Sequence, residues 1–177
     1  MKRMFGCCFV LTFLCLVSYA VIAQRGTPTL INGEQRIALK YSTPDMRGSG
    51  MFSNPLSHKV RYALRGKQAE LRITNTSPIF EVSLPGNAHP SEIVQLVKFD
   101  VKSDRREIEM LRVGVTGTKS GLSKDRMIEI AIEELPDQGN GYQKPFRIKL
   151  NKPMVSGEYA LVIQGHTFYD FGVDAAK

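Results

Sequence analysis

The C-terminal stretch 157–174 places the strongest constraint on the fold of this chain. Its first apolar run, 159–163, is apolar at both of the alternating positions of a strand, and a turn over 164–167 separates it from a second run. A strand that is apolar on both faces is covered on both sides. The stretch therefore predicts a hairpin in the middle of a core.

Most of the remaining chain consists of short segments in which apolar and polar residues alternate, as in half-buried strands. Turn signals separate about nine or ten such segments, and no convincing amphipathic helix occurs. The clearest strand is 127–133, the segments 59–64 and 69–74 predict a hairpin, and 97–102 continues a longer strand. The phase of the alternation changes near Met110, which predicts a β-bulge. These patterns predict an all-β fold, an antiparallel β-sandwich of the immunoglobulin-like or jelly-roll-like type.

Two segments lack this alternation and predict loops. Residues 42–57 are rich in Pro, Gly and Ser, and residues 116–125 are rich in Gly, Ser and Lys. Long loops of this kind frequently carry function. We therefore expect the functional surface to include these two loops.

Residues 1–23 have the pattern of a secretory signal peptide, with Lys2 and Arg3 at the start, an apolar run and a small-residue cleavage site. Residues 24–33 predict an extended leader, and 34–177 predict one sandwich domain. All three cysteines lie within 1–23, so the exported chain is expected to have no disulfide, thiol nucleophile or Cys-ligated zinc. The expected location is the periplasm or the extracellular space.

The charge of the exported chain is modest. Removal of Lys2 and Arg3 takes the formal charge from +7 to +5, and acidic residues alternate with basic ones along most strands. Interspersed charges are typical of solvated faces, so we expect no nucleic-acid binding. No later apolar run approaches the roughly 20 residues that span a bilayer, which predicts no transmembrane segment after the signal.

Motifs that would indicate catalysis or a cofactor are incomplete. The segment 113–120 resembles a phosphate-binding loop but has Thr118 where that motif requires glycine. Asp170-Phe171-Gly172 matches the metal-binding tripeptide of kinases without the other kinase elements, and strand register explains Phe171 as core, with Asp170 pointing outward. The three histidines lack metal-ligand spacing. We therefore predict no catalytic residue, cofactor or metal ligand.

A few side chains are candidates for contact with a partner. Arg105 and Arg106 belong, with Glu107, to the densest charged cluster, at an expected turn between two strands, and an Arg fork suits a carboxylate. Phe52 and Tyr142 are the aromatic residues expected in loops, and Asp170 and His166 are the polar residues of the C-terminal hairpin. The candidate contacts are Arg105, Arg106, Phe52, Tyr142, Asp170 and His166.

Five segments of the chain carry a family likeness: Phe80 after Pro78, 93–102, Asp104-Arg105-Arg106-Glu107-Ile108, Gly157-Glu158-Tyr159-Ala160 and 168–173. Together they resemble a group of uncharacterised secreted proteins of Gram-negative bacteria. In that group an extended strand precedes an Arg-Glu pair, and a Gly-Glu-Tyr strand precedes an aromatic-Asp-Phe-Gly ending. The resemblance covers about 78–174 and implies the β-sandwich fold and export; the group has no assigned activity, so no catalytic residue is transferred.

The functional expectation is an exported, non-enzymatic β-sandwich that binds a protein or a cell-envelope component through its loops. A hydrolase with a site assembled from separate loops is one alternative, in which His58, His89 or His166 would act with Asp and Ser. A glycan-binding module is the other, although the chain has no Trp and few aromatic residues in loops.

Overall fold

The computed structural model describes residues 26–49, 58–114, 117–136 and 142–175. Within these residues the chain forms fifteen strands, one helical turn α1 (Pro90–Ile93) and one 3₁₀ turn (Lys124–Arg126). The fold is therefore all-β. The strands are β1 Thr29–Asn32, β2 Gln35–Ala38, β3 Asp45–Ser49, β4 His58–Arg65, β5 Arg72–Ile73, β6 Ile79–Pro85, β7 Val94–Lys98, β8 Asp100–Val101, β9 Arg105–Gly114, β10 Gly117–Ser120, β11 Met127–Ile128, β12 Ile130–Glu134, β13 Gln143–Leu150, β14 Gly157–Ile163 and β15 Thr167–Val173.

The strands form three sheets, not the two expected from the sequence. Sheet A has the order β12-β13-β6-β1-β2, and sheet B has the order β11-β7-β14-β15-β5. Sheet C has the order β10-β9-β4-β3, with β8 also paired to β9. All pairings are antiparallel except that of β15 with β5.

Sheet B is the middle layer of the molecule. One buried cluster joins it to sheet A and contains Tyr159 and Leu161 of β14 together with Phe80 of β6. A second cluster joins it to sheet C and contains Ala160 and Val162 of β14. Because both faces of β14 are buried, the predicted central hairpin at 157–174 is confirmed.

Fifteen strands replace the expected nine or ten because several predicted strands change sheets. The predicted strand through 97–102 divides at Phe99, so β7 belongs to sheet B and β8 to sheet C. The predicted strand 127–133 divides in the same way, since β11 pairs with β7 while β12 pairs with β13 in sheet A. The alternation of apolar and polar residues therefore continues without a break where the chain passes from one sheet to another.

The predicted leader 24–33 contains a strand of sheet A. Thr29–Asn32 is β1, which pairs with β2 and β6, and its Leu30 is fully buried. Gly33 has a positive φ of 63° in the tight turn before β2, where glycine has no steric cost. The segment is polar and contains proline, and its two buried side chains, Pro28 and Leu30, carry little periodic signal.

The predicted hairpin of 59–64 with 69–74 does not form. Strand β4 pairs with β3 and β9, and β5 pairs in parallel with β15. Both predicted loops also contain strands, because β3 lies within 42–57 and β10 within 116–125. Residues 50–57 and 115–116 lie outside the described part of the chain.

The bulge predicted near Met110 is confirmed. Arg61 lies opposite Glu109 and Val60 lies opposite Leu111, so Met110 is the extra residue in β9. Such a bulge shifts the phase of the strand, which keeps charged residues on the same face of β9 before and after Met110. Among the described helices, none has the length and apolar character needed to cross a membrane.

Candidate functional site

Arg106 lies in β9 and is buried between sheets B and C, with 4% of its surface exposed. Its Nε donates to the Gly66 carbonyl oxygen at 3.2 Å, and its Nη2 donates to the Arg65 carbonyl oxygen at 3.1 Å. Its Nη1 pairs with Asp170 and lies 3.8 Å from Glu158 Oε2. The guanidinium therefore has a partner in each direction, as a buried charge requires. Arg106 belongs to a strand and not to the expected turn.

Asp170 faces the interior, whereas strand register predicted that it points outward. Its Oδ2 accepts a hydrogen bond from Arg106, and its Oδ1 accepts one from the Ser42 hydroxyl. The prediction was wrong because β15 belongs to the middle sheet, so both of its faces are covered. The face of β15 opposite Phe171 turns towards sheet C, where Phe168 is also buried.

Glu158 extends this network along the middle sheet. It is 4% exposed, and its Oε2 accepts the backbone N–H of Ala69 at 2.7 Å. Its Oε1 accepts from Arg72, which also pairs with Asp174. Hydrogen bonding to Asp174 raises the pKa of Arg72 although burial opposes the charged form, and the same bond lowers the pKa of Asp174. The network holds two cations and three carboxylates in fixed positions.

Gly172, the last residue of the kinase-like tripeptide, leaves space for this network. A Cβ at this position would collide with the guanidinium of Arg72, which reaches Glu158 across the glycine. The absent side chain, and not metal binding, is the structural reason for glycine here.

A cavity of about 600 Å³ opens beside Arg106 and Asp170. It lies between the end of sheet A and sheet C, and the segment after β2 forms one wall. Tyr41, which is 55% exposed, lies at this wall with its ring edge against Tyr169 at 6.3 Å between centroids. Apolar and charged side chains share the lining: Ile37, Ala38, Lys40, Tyr41, Ser42, Arg65, Gln68, Glu70, Leu71, Arg106 and Asp170.

The polar groups of the cavity are arranged for binding. The Ser42 hydroxyl bonds to Asp170, whose second oxygen is held by Arg106. In the described residues no hydrogen bond joins a histidine to either side chain, and the Nδ1 of His166 instead lies 2.7 Å from the Gln164 carbonyl oxygen. A serine nucleophile needs an adjacent base that can take its proton, and a histidine is the usual base. Nor do the described residues contain a group of three or more His, Cys, Asp or Glu that could hold a metal ion.

The structure brings together two of the six predicted contact residues, Arg106 and Asp170. Arg105 points to the opposite face of sheet C, where it pairs with Asp104 and Glu107. Tyr142 is 91% exposed at the start of β13, and His166 is exposed in the turn between β14 and β15, and neither lines the cavity. Phe52 lies outside the described residues.

Sequence reasoning missed Tyr41, Ser42 and Glu158. Glu158 had a usable signal, because a carboxylate inside a strand that is apolar on both faces requires a buried cation. Tyr41 and Ser42 gave no such signal, because they reach the site through the backbone pairing of Ser42 with Phe168, two residues that are far apart in the sequence.

Comparison of the chain with known proteins gives no relative to which this site can be matched. No family model matches it, and neither a curated protein nor a solved structure does so.

Proposed function

We propose that this is an exported, non-enzymatic protein that binds a segment of a protein or another cell-envelope component in the cavity beside Arg106 and Asp170. The observation that carries the proposal is the cavity itself, whose volume of about 600 Å³ lies in the usual range for ligand sites. Its floor is an ion pair held by backbone carbonyl groups, and its wall offers an exposed tyrosine.

Export to the periplasm or the extracellular space belongs to the same proposal. It is supported by the signal-like pattern of residues 1–23 and by the likeness of about 78–174 to secreted proteins of Gram-negative bacteria. The face-to-face packing of sheets A and B supports a sandwich of the immunoglobulin-like or jelly-roll-like type, to which sheet C would be an added layer.

Binding accounts for the polar groups better than hydrolysis does. Ser42 donates to Asp170, whose other oxygen is held by Arg106, and in the described residues no histidine is hydrogen-bonded to Ser42 to act as its base. The proposal contains no chemical step. Turnover of an ester, glycoside, peptide or phosphate substrate that is lost in Ser42→Ala would contradict it.

Affinity capture from envelope extract, with mass spectrometry of the retained proteins and lipids, tests the proposal. We expect Tyr41→Ala to lose a component that the wild-type protein retains. Tyr142→Ala is the matched control, because it removes a ring that is 91% exposed and lies outside the cavity. A component that is lost with Tyr142→Ala and retained with Tyr41→Ala would place the binding surface at the loops instead.

Glycan binding is a second candidate, and the exposed Tyr41 ring favours it because sugars stack on exposed aromatic faces. A glycan array probed with wild-type and Tyr41→Ala protein separates the two candidates. Saccharide binding that depends on Tyr41 would replace the protein-segment proposal.

A further inference from the structure

The outer face of sheet C carries an excess of basic side chains. Tyr62 and Leu64 of β4 pack into the cluster between sheets B and C, so Lys59, Arg61 and Arg65 point to the other side. The strands paired with β4 add further charges to that side. It carries the cations Arg47, Lys59, Arg61, Arg65, Lys102, Arg105, Arg112 and Lys119 and the carboxylates Asp45, Asp100, Asp104, Glu107 and Glu109.

The register of sheet C places cations directly opposite one another. Lys119, Arg112 and Lys59 form one row across three strands. Arg47 lies opposite Arg61. Arg65 lies opposite Arg105 in a third such row. Like charges in directly opposed positions destabilise a sheet unless an anion lies near them.

The carboxylates on this face do not neutralise it. Glu109 accepts two hydrogen bonds from Arg112, at 2.7 and 2.9 Å, and lies 3.6 Å from Lys59. The hydrogen bonds from Arg112 hold the pKa of Glu109 below its usual value. Arg47 and Lys119 are exposed, and within the described residues neither has an ion-pair partner.

A cleft of about 320 Å³ lies on the same face. Arg47, Arg65 and Arg105 line it together with Asp45 and Asp104, and Arg65 lies 3.7 Å from Asp45 while Arg105 lies 2.8 Å from Asp104. The planar fork of arginine suits the oxygens of a phosphate group. Because Asp45 and Asp104 pair with Arg65 and Arg105, Arg47 is the arginine of the cleft that has no ion-pair partner in the described residues and is left for a phosphate.

The geometry points to an anionic phospholipid surface as the partner of this face, and we propose that the cleft accepts a lipid phosphate. The cations lie on four neighbouring strands that are about 4.8 Å apart, and such a cluster of Lys and Arg side chains is attracted to the negative surface potential of anionic lipids. Sugar polymers are less well matched, because Tyr62 is the one aromatic residue in the described strands of sheet C and it is turned inward. This inference does not depend on the cavity beside Arg106.

Vesicle co-sedimentation tests the proposal. The full-length chain is expressed in its host and purified after any processing there, and its N-terminal residue is determined by mass spectrometry. Vesicles of phosphatidylcholine are compared with vesicles that contain about a quarter phosphatidylglycerol. The neutral vesicles report any contribution from the apolar N-terminal segment. We expect the protein to bind only the vesicles that contain the anionic lipid. Salt at about 1 M, where the electrostatic screening length is about 3 Å, should abolish that binding.

The double variant Arg47→Gln/Lys119→Gln should weaken binding to the anionic vesicles by about thirtyfold, since each cation at such a surface contributes about fivefold. Lys149→Gln/Lys152→Gln is the control, because it removes the same charge from the side of sheet A. We expect it to change binding by less than about threefold. The cavity variant Tyr41→Ala should bind the vesicles like the wild-type protein.

Three results would overturn the proposal. One is equal weakening by the two double variants at matched melting temperatures, which would show a response to net charge alone. Another is equal binding of the wild-type protein to neutral and anionic vesicles, or binding that salt does not affect. The third is retention on an immobilised acidic polysaccharide without retention on anionic vesicles, which would assign the face to a glycan.

Discussion

Ion pairs of arginine with carboxylates occur in two places: they are buried between sheets B and C and are more exposed on the outer face of sheet A. Arg106 and Asp170 are only 5% and 10% exposed at their side chains, and each charged atom has a protein partner. On sheet A, Arg147 lies between Glu133 and Glu81 in register, and Arg36 and Glu81 also pair, with Arg36 61% exposed. Water can replace a lost partner in the second region and not in the first.

The two groups of ion pairs therefore differ in how much they stabilise the packing of one sheet on another. Removal of one partner from a buried pair leaves an unsolvated charge, whereas an exposed pair contributes little. The buried network joins strands from sheets B and C, so it fixes the position of these two sheets relative to one another. The exposed row acts within a single sheet whose strands already pair through their backbones.

Arg106→Ala should have the largest effect, because it leaves Asp170 and Glu158 buried without a shared cation. We expect the free energy of unfolding to fall by about 3–5 kcal/mol, measured by urea denaturation. Arg36→Ala is the control and should cost no more than about 1 kcal/mol. Equal costs for the two variants would remove the distinction between the regions.

Gly172→Ala should have an intermediate effect, because its methyl group would displace Arg72 from Glu158 while both charges remain. We expect a loss of about 1–3 kcal/mol in thermal or urea unfolding. Gly26→Ala is the control, since no atom lies within 4 Å of a Cβ at that position. A neutral Gly172→Ala would indicate that Arg72 can reach its partners by another path.

Glu81→Gln should have the smallest effect. Burial opposes the ionised form of Glu81, but hydrogen bonds from Arg147 and Arg36 outweigh it and lower the pKa of Glu81 below 4.5. We expect a loss of up to about 1 kcal/mol at neutral pH, and a smaller loss at high salt. Glu129→Gln, on an exposed residue without an ion pair in the described part of the chain, should leave the melting temperature unchanged.

The pH dependence of this variant follows from the sign of the shift. Because the pKa of Glu81 is lower in the folded protein, its contribution is complete above about 4.5 and disappears as the pH falls through the folded value. The difference between wild-type and Glu81→Gln stability should therefore shrink towards zero below pH 4.5. A difference that stays constant in acid would mean that the charge of Glu81 contributes nothing.

Individual strands could be predicted from the sequence because apolar and polar residues alternate with a period of two along them. Phe80, Val82 and Leu84 of β6 are all buried as expected, and the bulge at Met110 follows from a change of phase. Strand partners could not be predicted in the same way, because pairing joins distant segments. The parallel contact of Gly172 with Arg72 has no local signal.

Only two members of the candidate site, Arg106 and Asp170, could be named from the sequence. The sequence predicts Arg106 in a turn and Asp170 on the outer side of the C-terminal hairpin, so both are expected at the surface. A third layer of strands buries them, and alternation alone does not show how many layers cover a strand. The charge of Glu158 in an otherwise apolar strand was the one residue-level sign of a buried network.

The position of β14 and β15 in the middle sheet has a consequence for the time at which the protein can fold. These strands are the last in the described chain, yet both buried clusters require their side chains. A polypeptide is synthesised from its N-terminus, so neither core can close before the segment 157–173 has emerged from the ribosome. Late arrival of the shared layer delays collapse until nearly all of the described chain has been synthesised.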